Sequence, residues 1–594
     1  MNRRHRWAIA VALCAVAAVA YLPSIDGAFQ FDDNGIFTSP AALAPSAYLS
    51  PATWRAQARP LTSLLFAVDH AIGGFRPRVW HATNVAIHLA AVLLAWLLAR
   101  RLLARAFGQE GEGASAPPGA PTGPAATVEW IALAAAALFA LHPIQTEAVS
   151  YLSQRAEALA ASLYFAGLLV LLARDAAASR PRRALLLAAS AALHAVALAA
   201  KPTAATMPAA WLLAAALLPL PAEHDVPWGV RVARRLSAAL PLLALSAWAA
   251  VGGAASARTG DHAGFTVSFV TPLGYLATQL RAIPRYLALL LLPARQNVDW
   301  EFPFSGRLLE PKVVGGAALL ALVTAAALLA VERWGRGRDE RAALARLAAF
   351  TWLFFLVALA PTIVVPLRDA FVEHRLYLAL LGPALLVAAG VAVGAKALAP
   401  ARAGAVAGAL AAAALGAAFA ATWQRNRVWE SPLALWSDAA EKSPGKARVW
   451  ANLGASLSLA GRDPEAVGAY DRAIALAGDS SVPMSLVMKN LTIALVALRR
   501  HDDARERLQR YLVTRPGDAS GWVLLGQVEV SARRLDAAER AVGIALGLDP
   551  VLPPAMQVRG QIHEKRGDLA GAYALYAEAA RLDPADPLAP YSMA

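Results

Sequence analysis

Long apolar runs, broken only by short and mostly basic loops, fill the first two-thirds of the chain, near residues 7–22, 82–104, 128–142, 157–173, 184–200, 204–220, 236–254, 313–331, 347–366, 376–397 and 402–422. A helix rises about 1.5 Å per residue and the hydrocarbon layer is about 30 Å thick, so runs of this kind read as membrane spans. After Trp423 the pattern changes to charged segments with helical periodicity. The predicted fold is therefore all-α: a polytopic membrane bundle of about eleven transmembrane helices, then a helical soluble domain. The first run follows Arg3 and Arg4 and has no small-residue cleavage site ahead of a polar start, so it reads as a retained helix rather than a signal peptide.

The segment 271–293 is also apolar but carries Arg281 and Arg285 on either side of Pro284, charges that are costly in a lipid-facing span. Its treatment follows from the positive-inside rule. Arg3–Arg4, Arg100–Arg105, Arg180–Arg183, Arg231–Arg235 and Arg333–Arg346 fall on one side of the membrane only if 271–293 enters and leaves by the same face, as a re-entrant or interfacial helix. Segments 23–81, 143–156, 255–312 and 367–375 then face outward, as does the C-terminal domain. The stretch 106–127, rich in Gly, Pro and Ala, becomes a disordered cytoplasmic linker.

The C-terminal domain repeats. Gly526 and Gly560 lie one 34-residue period apart, as do Asp549-Pro550 and Asp583-Pro584, and Trp450 to Gly454 with Gly461, Ala466, Tyr470 and Ala473 follows the same grammar. This predicts about four tetratricopeptide repeats over 447–594, stacked as an α-solenoid behind a connector at 425–446 and a membrane domain at 1–424.

Composition changes two points. The formal net charge of +14 lies in the loops between apolar runs, which accounts for it as topology and excludes a nucleic-acid partner. The single cysteine, Cys14, excludes an intramolecular disulfide.

Chemistry-bearing residues gather in the outward segments. Asp32 and Asp33 are adjacent carboxylates just after the first span, where like charges raise one another's pKa, so one can take a proton from a hydroxyl; a polar cap on the exit loop is the competing reading. Arg59 precedes Pro60-Leu61. His81, Asn84 and His88 share one helix face, as cavity lining or interhelical hydrogen-bond partners. His142 and Glu147, followed by Arg155, sit between apolar runs; a divalent metal ion there stays open, since two ligands do not define a site. Glu373, His374, Arg375 and Tyr377 run straight into a span. Arg375 at a helix start, and Lys201 at the outer end of another span, are placed to hold a phosphate, with interfacial anchoring as the alternative for Arg375 and Tyr377.

Taken in order, Phe31-Asp32-Asp33, Arg59-Pro60-Leu61, His81-Ala-Thr-Asn84 with His88, Leu141-His142-Pro143 with Thr146-Glu147-Ala148-Val149, Asp299-Trp300 and Glu373-His374-Arg375-Leu376-Tyr377-Leu378 make the chain resemble the transmembrane and tetratricopeptide-repeat O-mannosyltransferases. More distantly it resembles the protein O-mannosyltransferases. The resemblance implies a GT-C-class membrane glycosyltransferase that moves a hexose, mannose in the family, from a polyprenyl-phosphate carrier to an acceptor hydroxyl with inversion. It implies an acidic base at Asp32 with Asp33 as partner, which of the two is the base being left open. It also implies donor or substrate contacts at Arg375 and, with them, Arg155, Lys201 and the other motif residues. Abundant Arg and Ala point to a bacterial member in the inner membrane, with the repeats periplasmic and able to recruit the acceptor. The other function classes weighed are a non-catalytic, membrane-anchored repeat scaffold and a transporter of lipid-linked glycans. Ionisable residues clustered at the outer face, rather than at mid-membrane, favour the enzyme.

Overall fold

A computed structural model describes residues 3–38, 43–109, 124–257, 267–476 and 482–583, so most of the expected linker lies outside the described residues. Two compact units result, Met1–Ser431 and Pro432–Ala594. The break falls seven residues beyond the composition change expected at 424, because the last membrane-unit helix runs unbroken from Ala403 to Val428.

In chain order the first unit contains α1 (Arg3–Ala20), α2 (Pro60–Gly73), α3 (Pro77–Ala106), α4 (Pro124–Leu141), α5 (Thr146–Ser150), α6 (Arg155–Asp175), α7 (Arg180–Ala200), α8 (Met207–Leu217), α9 (Trp228–Ala257), α10 (Pro272–Leu291), α11 (Pro311–Trp334), α12 (Glu340–Val364), α13 (Leu381–Leu398) and α14 (Ala403–Val428). Proline opens many of them, where its fixed φ suits the first turn and its missing N–H costs nothing. Asp339 caps α12 by accepting from the Ala342 N–H at 3.1 Å.

Among the described residues seven helices are long and apolar enough to cross a membrane, or eight if the pair Thr127–Leu141 and Pro143–Ser150, bent by 49°, is one broken span. The chain is a multi-pass membrane protein. Of the eleven expected spans, 7–22, 204–220 and 236–254 are not among these eight. The first span carries Arg3, Arg4 and Arg6 in its opening turns, and the sixth is cut off at Lys201-Pro202, leaving a short apolar helix over Pro202–Leu217. Small residues let the helices close up. A Cβ on Gly382 would stand 2.8 Å from the Thr351 carbonyl oxygen, and one on Gly316 would collide with that of Leu280.

The two arginines of α10 do not lie bare on its surface. Arg281 donates to Ser305 at 2.9 Å and lies over the Phe302 ring at 4.8 Å, and Arg285 lies over Trp300 at 5.0 Å. The loop 299–310 thus covers the charges that argued against a span.

The second unit contains α15 (Pro432–Lys442) followed by four helix pairs: α16 (Ala447–Leu459) with α17 (Asp463–Ala475), α18 (Met484–Ala497) with α19 (His501–Thr514), α20 (Ala519–Ser531) with α21 (Leu535–Leu548), and α22 (Pro553–Lys565) with α23 (Leu569–Leu582). This is the expected tetratricopeptide solenoid. The repeat glycines explain the pairing. A Cβ on Gly454 would stand 2.6 Å from the Tyr470 ring, on Gly526 2.8 Å from Val542, and on Gly560 2.5 Å from the Tyr576 ring, each partner sixteen residues further on. Gly560→Val is expected to lower the stability of this unit by about 1–3 kcal/mol through overpacking, read by thermal unfolding of the full chain.

Candidate active site

The segment after α1 is held by its carboxylate. Phe31 adopts φ +52°, a left-handed turn just before Asp32, which is exposed, and Asp33, which is buried. Asp33 is buried, 1% exposed, and accepts from the Gln30 N–H (3.0 Å), the Ser153 N–H (2.8 Å) and the Ser153 hydroxyl (2.7 Å). Burial pushes its carboxyl up to about 6 against the pull of those hydrogen bonds, and Asp32 adds to the rise. Asp32 stands exposed, its N–H donating to the Tyr151 hydroxyl at 3.0 Å. Tyr151 in turn stacks on Trp429 at 5.7 Å.

The folded-state value of Asp33 lies above its ordinary 3.8, so the folded chain holds this proton more tightly than the unfolded one. The stability it contributes is complete below about 3.8 and is lost as pH rises through about 6. The charged form of Asp33 is thus present at the expense of stability. Ser153→Ala removes one stabilising donor and is expected to move the acidic limb of any Asp33-dependent activity upward from near 6, visible in a pH–rate profile.

Three sequence motifs far apart in the chain form one network. Glu373, fully buried, accepts from the Asn297 N–H (2.6 Å), the Trp300 indole (2.9 Å) and the Gln296 amide (2.7 Å), and that amide also reaches the Pro143 carbonyl at 3.0 Å. Burial raises the Glu373 carboxyl to about 7. Glu147 accepts the Glu373 N–H at 3.0 Å and meets His374 Nδ1 at 2.7 Å. The segments 143–149, 296–300 and 373–378 are thereby locked together, and His374 is presented from the lock.

Cations surround His374. Its imidazole is held well below the usual range, first by burial, then by Lys201, Arg375 and Arg59, with Glu157 opposing them. Lys201 is paired with Glu157. Arg59, the residue before α2, is brought there because Thr62 on that helix donates to the Ala200 carbonyl at 3.2 Å, one residue before Lys201. No hydrogen bond ties the Arg59 guanidinium among the described residues, whereas Arg375 donates to Ala370 O (2.9 Å) and Asp369 O (2.5 Å). Lys201 and His374 each keep about a tenth of the side chain exposed, 10% and 13%, so the cluster is not sealed.

The acid pair and the cationic cluster are anchored on one stretch of chain. Ser153 holds Asp33 and Glu157 holds Lys201, four residues apart at the start of α6, which separates the anchors by about 6–7 Å of helical rise. Between them Arg155, itself buried, feels Asp33.

The remaining motif residues build the frame instead. Arg155 is spent on Asp69 (2.5 Å), Asn84 (2.5 Å) and the Trp80 carbonyl (2.9 Å). The Asn84 amide donates to the Val149 carbonyl at 2.9 Å, and His81 meets the Gly27 carbonyl at 3.0 Å. His88 joins the Tyr377 hydroxyl (2.7 Å) and the Ala140 carbonyl (3.1 Å), so both act as hydrogen-bond partners between helices. His142 accepts the Ile144 N–H at 3.2 Å and reaches the Leu290 carbonyl at 3.1 Å, shaping the bend after α4 rather than facing Glu147's partners. Among the described residues no three His, Cys, Asp or Glu side chains are grouped to hold a metal ion.

No family model matches the chain. Its relatives share a single printed activity. It is 32% identical over 156 residues to the protein O-mannosyl-transferase Tmtc1 of Drosophila melanogaster, covering 24% of this chain and 16% of that protein. It is 34% identical over 111 residues to Tmtc3 of the same fly (19% and 12%), and 31% identical over 209 residues to its Tmtc2 (32% and 20%). The matched stretches thus span at most a fifth of those relatives' lengths. Among solved structures, MamA from Desulfovibrio magneticus RS-1 is 20% identical over 28% of this chain and 92% of its own, with a TM-score of 0.23.

Asp69, Tyr151 and Ser153 complete the arrangement and carry no signal of their own in the sequence. Each is defined by a partner 86 to 120 residues away, and no local spacing reveals it.

Proposed function

We propose that the chain is a membrane glycosyltransferase that moves a hexose, mannose by its relatives' printed activity, from a polyprenyl-phosphate carrier to a hydroxyl on a protein, on the extracytoplasmic face of a bacterial inner membrane. The observation that carries this reading is that Lys201, paired with Glu157 in the first turn of α6, and Arg59, held near it by the Thr62–Ala200 contact, act with Arg375 on His374, with Glu157 four residues along the chain from the Ser153 that anchors the Asp32–Asp33 loop. Cations there receive the charge that develops on the departing phosphate, and a lipid phosphate leaves without a strong general acid. Asp32, exposed beside its buried neighbour, takes the proton of the acceptor hydroxyl. The acceptor oxygen bonds to the anomeric carbon as the carbon–oxygen bond to the phosphate breaks, from the opposite face. The result is an inverted glycoside and a free polyprenyl phosphate. Asp33 positions the loop through Ser153.

With α10 lying at the interface, the arginine-rich loops stay on the cytoplasmic side and the repeats outside, where they are free to present the acceptor. The test uses the full chain in vesicles with radiolabelled polyprenyl-phosphate mannose and an unfolded protein acceptor. Label is expected to reach the acceptor, and Arg59→Gln is expected to slow transfer about a hundredfold, as the loss of a preorganised charge does elsewhere. Unchanged transfer in Arg59→Gln, with the protein folded and inserted, contradicts the phosphate assignment.

A further inference from the structure

The repeats hold a feature that glycosyl transfer does not use. A cavity of about 370 Å³ opens between α17 and α19, the second helices of the first two pairs, with the start of α18 as its floor. This lies away from the row of first helices that face one another along the solenoid. Its volume falls within the range of about 300–1,000 Å³ typical of ligand pockets.

The cavity has a cause in the repeat. Four residues before the repeat glycine the first and third repeats carry Trp450 and Trp522, their indoles donating to the carbonyls of Pro444 (2.8 Å) and Pro516 (2.9 Å). In the second repeat the same register carries Met488, and Met488 with Met484 and Ile474 forms an apolar floor. Methionine leaves room where tryptophan would not, and its flexible thioether adapts to varied guests.

The rim is basic. Arg507 is committed to Asp471 and to Asp503 (2.8 Å). Arg510 is not: its contact with Glu506 is 3.6 Å long and both side chains are 70% exposed, which makes the pair weak. Arg515 has its guanidinium over the Tyr511 ring, 5.6 Å from the centroid. Arg510 and Arg515 thus line the cavity together with its apolar floor.

We infer that this cavity binds an acidic peptide segment, an apolar side chain entering between Met484 and Met488 while flanking carboxylates meet Arg510 and Arg515. Guanidinium groups pair bidentately with carboxylates, and opposite charge at the rim selects such a segment over a neutral one. The inference does not rest on the transferase reading, because its test reads no sugar transfer.

The test is fluorescence anisotropy with the full chain in neutral phosphatidylcholine nanodiscs, using labelled Asp-Glu-Phe-Leu-Asp-Glu. Controls are Asn-Gln-Phe-Leu-Asn-Gln and Asp-Glu-Ser-Ser-Asp-Glu. The acidic apolar peptide is expected to bind, with both controls at least roughly tenfold weaker. Met488→Trp, which restores the residue of the neighbouring repeats, is expected to lower its affinity by a similar factor while the unfolding temperature holds. Arg510→Glu with Arg515→Glu is expected to do the same and to flatten the salt dependence, which keeps the test sound should Met488→Trp misfold. Equal binding of the neutral control, no binding of the acidic peptide, or full affinity in both folded variants overturns the inference. So does binding to phosphatidylglycerol vesicles that the peptide does not compete, which would make the rim a lipid contact.

Discussion

Asp32→Asn is expected to slow transfer from a polyprenyl-phosphate sugar by about 10²–10⁴, the loss that follows removal of a general base, while the unfolding temperature stays unchanged. The two halves of that expectation come from different facts. Asp32 is exposed, so exchanging one carboxylate oxygen for an amide nitrogen buries no unpaired group and costs the fold little. Asp33→Asn is expected to behave differently. It replaces one acceptor of a carboxylate that receives three hydrogen bonds in a buried place, so activity and stability fall together. A fall in stability with Asp32→Asn, or full activity in it, contradicts the division of labour between the two carboxylates. Initial rates and thermal unfolding of the two variants side by side read both.

The second large effect is on stability. Asp69→Ala is expected to destabilise the membrane unit by about 3–5 kcal/mol, because it strands the fully buried Arg155 guanidinium. Asp69 also accepts the Thr83 hydroxyl at 2.7 Å, and Arg155 lies over the Phe66 ring at 4.5 Å, so the pair ties α2, α3 and α6 together. Arg155→Met combined with Asp69→Leu is expected to recover most of the loss, since replacing a buried pair by apolar side chains removes the desolvation cost along with the attraction. Denaturation in detergent of the single and double variants measures the coupling. A single-variant loss below about 1 kcal/mol contradicts it.

These expectations show where sequence reading succeeds and where it stops. The membrane spans were legible because lipid demands an apolar run, and a run is a local property. The repeats were legible because Gly454, Gly526 and Gly560 each meet a residue sixteen places on, again a local spacing. The grouping of Glu147 with His374, separated by 227 residues, was legible only as two motifs on the same side of the membrane. Nothing in either motif says that they touch.

Residue type alone also does not say how each motif cation is held. Arg155 and Arg375 look alike in sequence as phosphate contacts, yet Arg155 is buried in an ion pair and Arg375 spends its N–H groups on its own loop. Arg59, marked in sequence only by the Pro60-Leu61 that follows it, is the one of these three whose guanidinium makes no hydrogen bond among the described residues. His88 reads equally well in sequence as cavity lining or as a bridge between helices and Tyr377 as a donor contact or interfacial anchor, and the structure joins the two by a 2.7 Å hydrogen bond. Such decisions rest on which donors a fold leaves over, and that becomes visible only when every partner is counted.

The central claim is that one outer site holds the lipid phosphate and the proton acceptor together. A cryo-electron-microscopy structure of the full chain with bound polyprenyl-phosphate mannose tests it most directly. The phosphate is expected within hydrogen-bonding reach of Arg59 and Lys201, with the anomeric carbon turned toward Asp32. A phosphate bound elsewhere, with Arg59, Lys201 and Asp32 all out of contact with the donor, would contradict it.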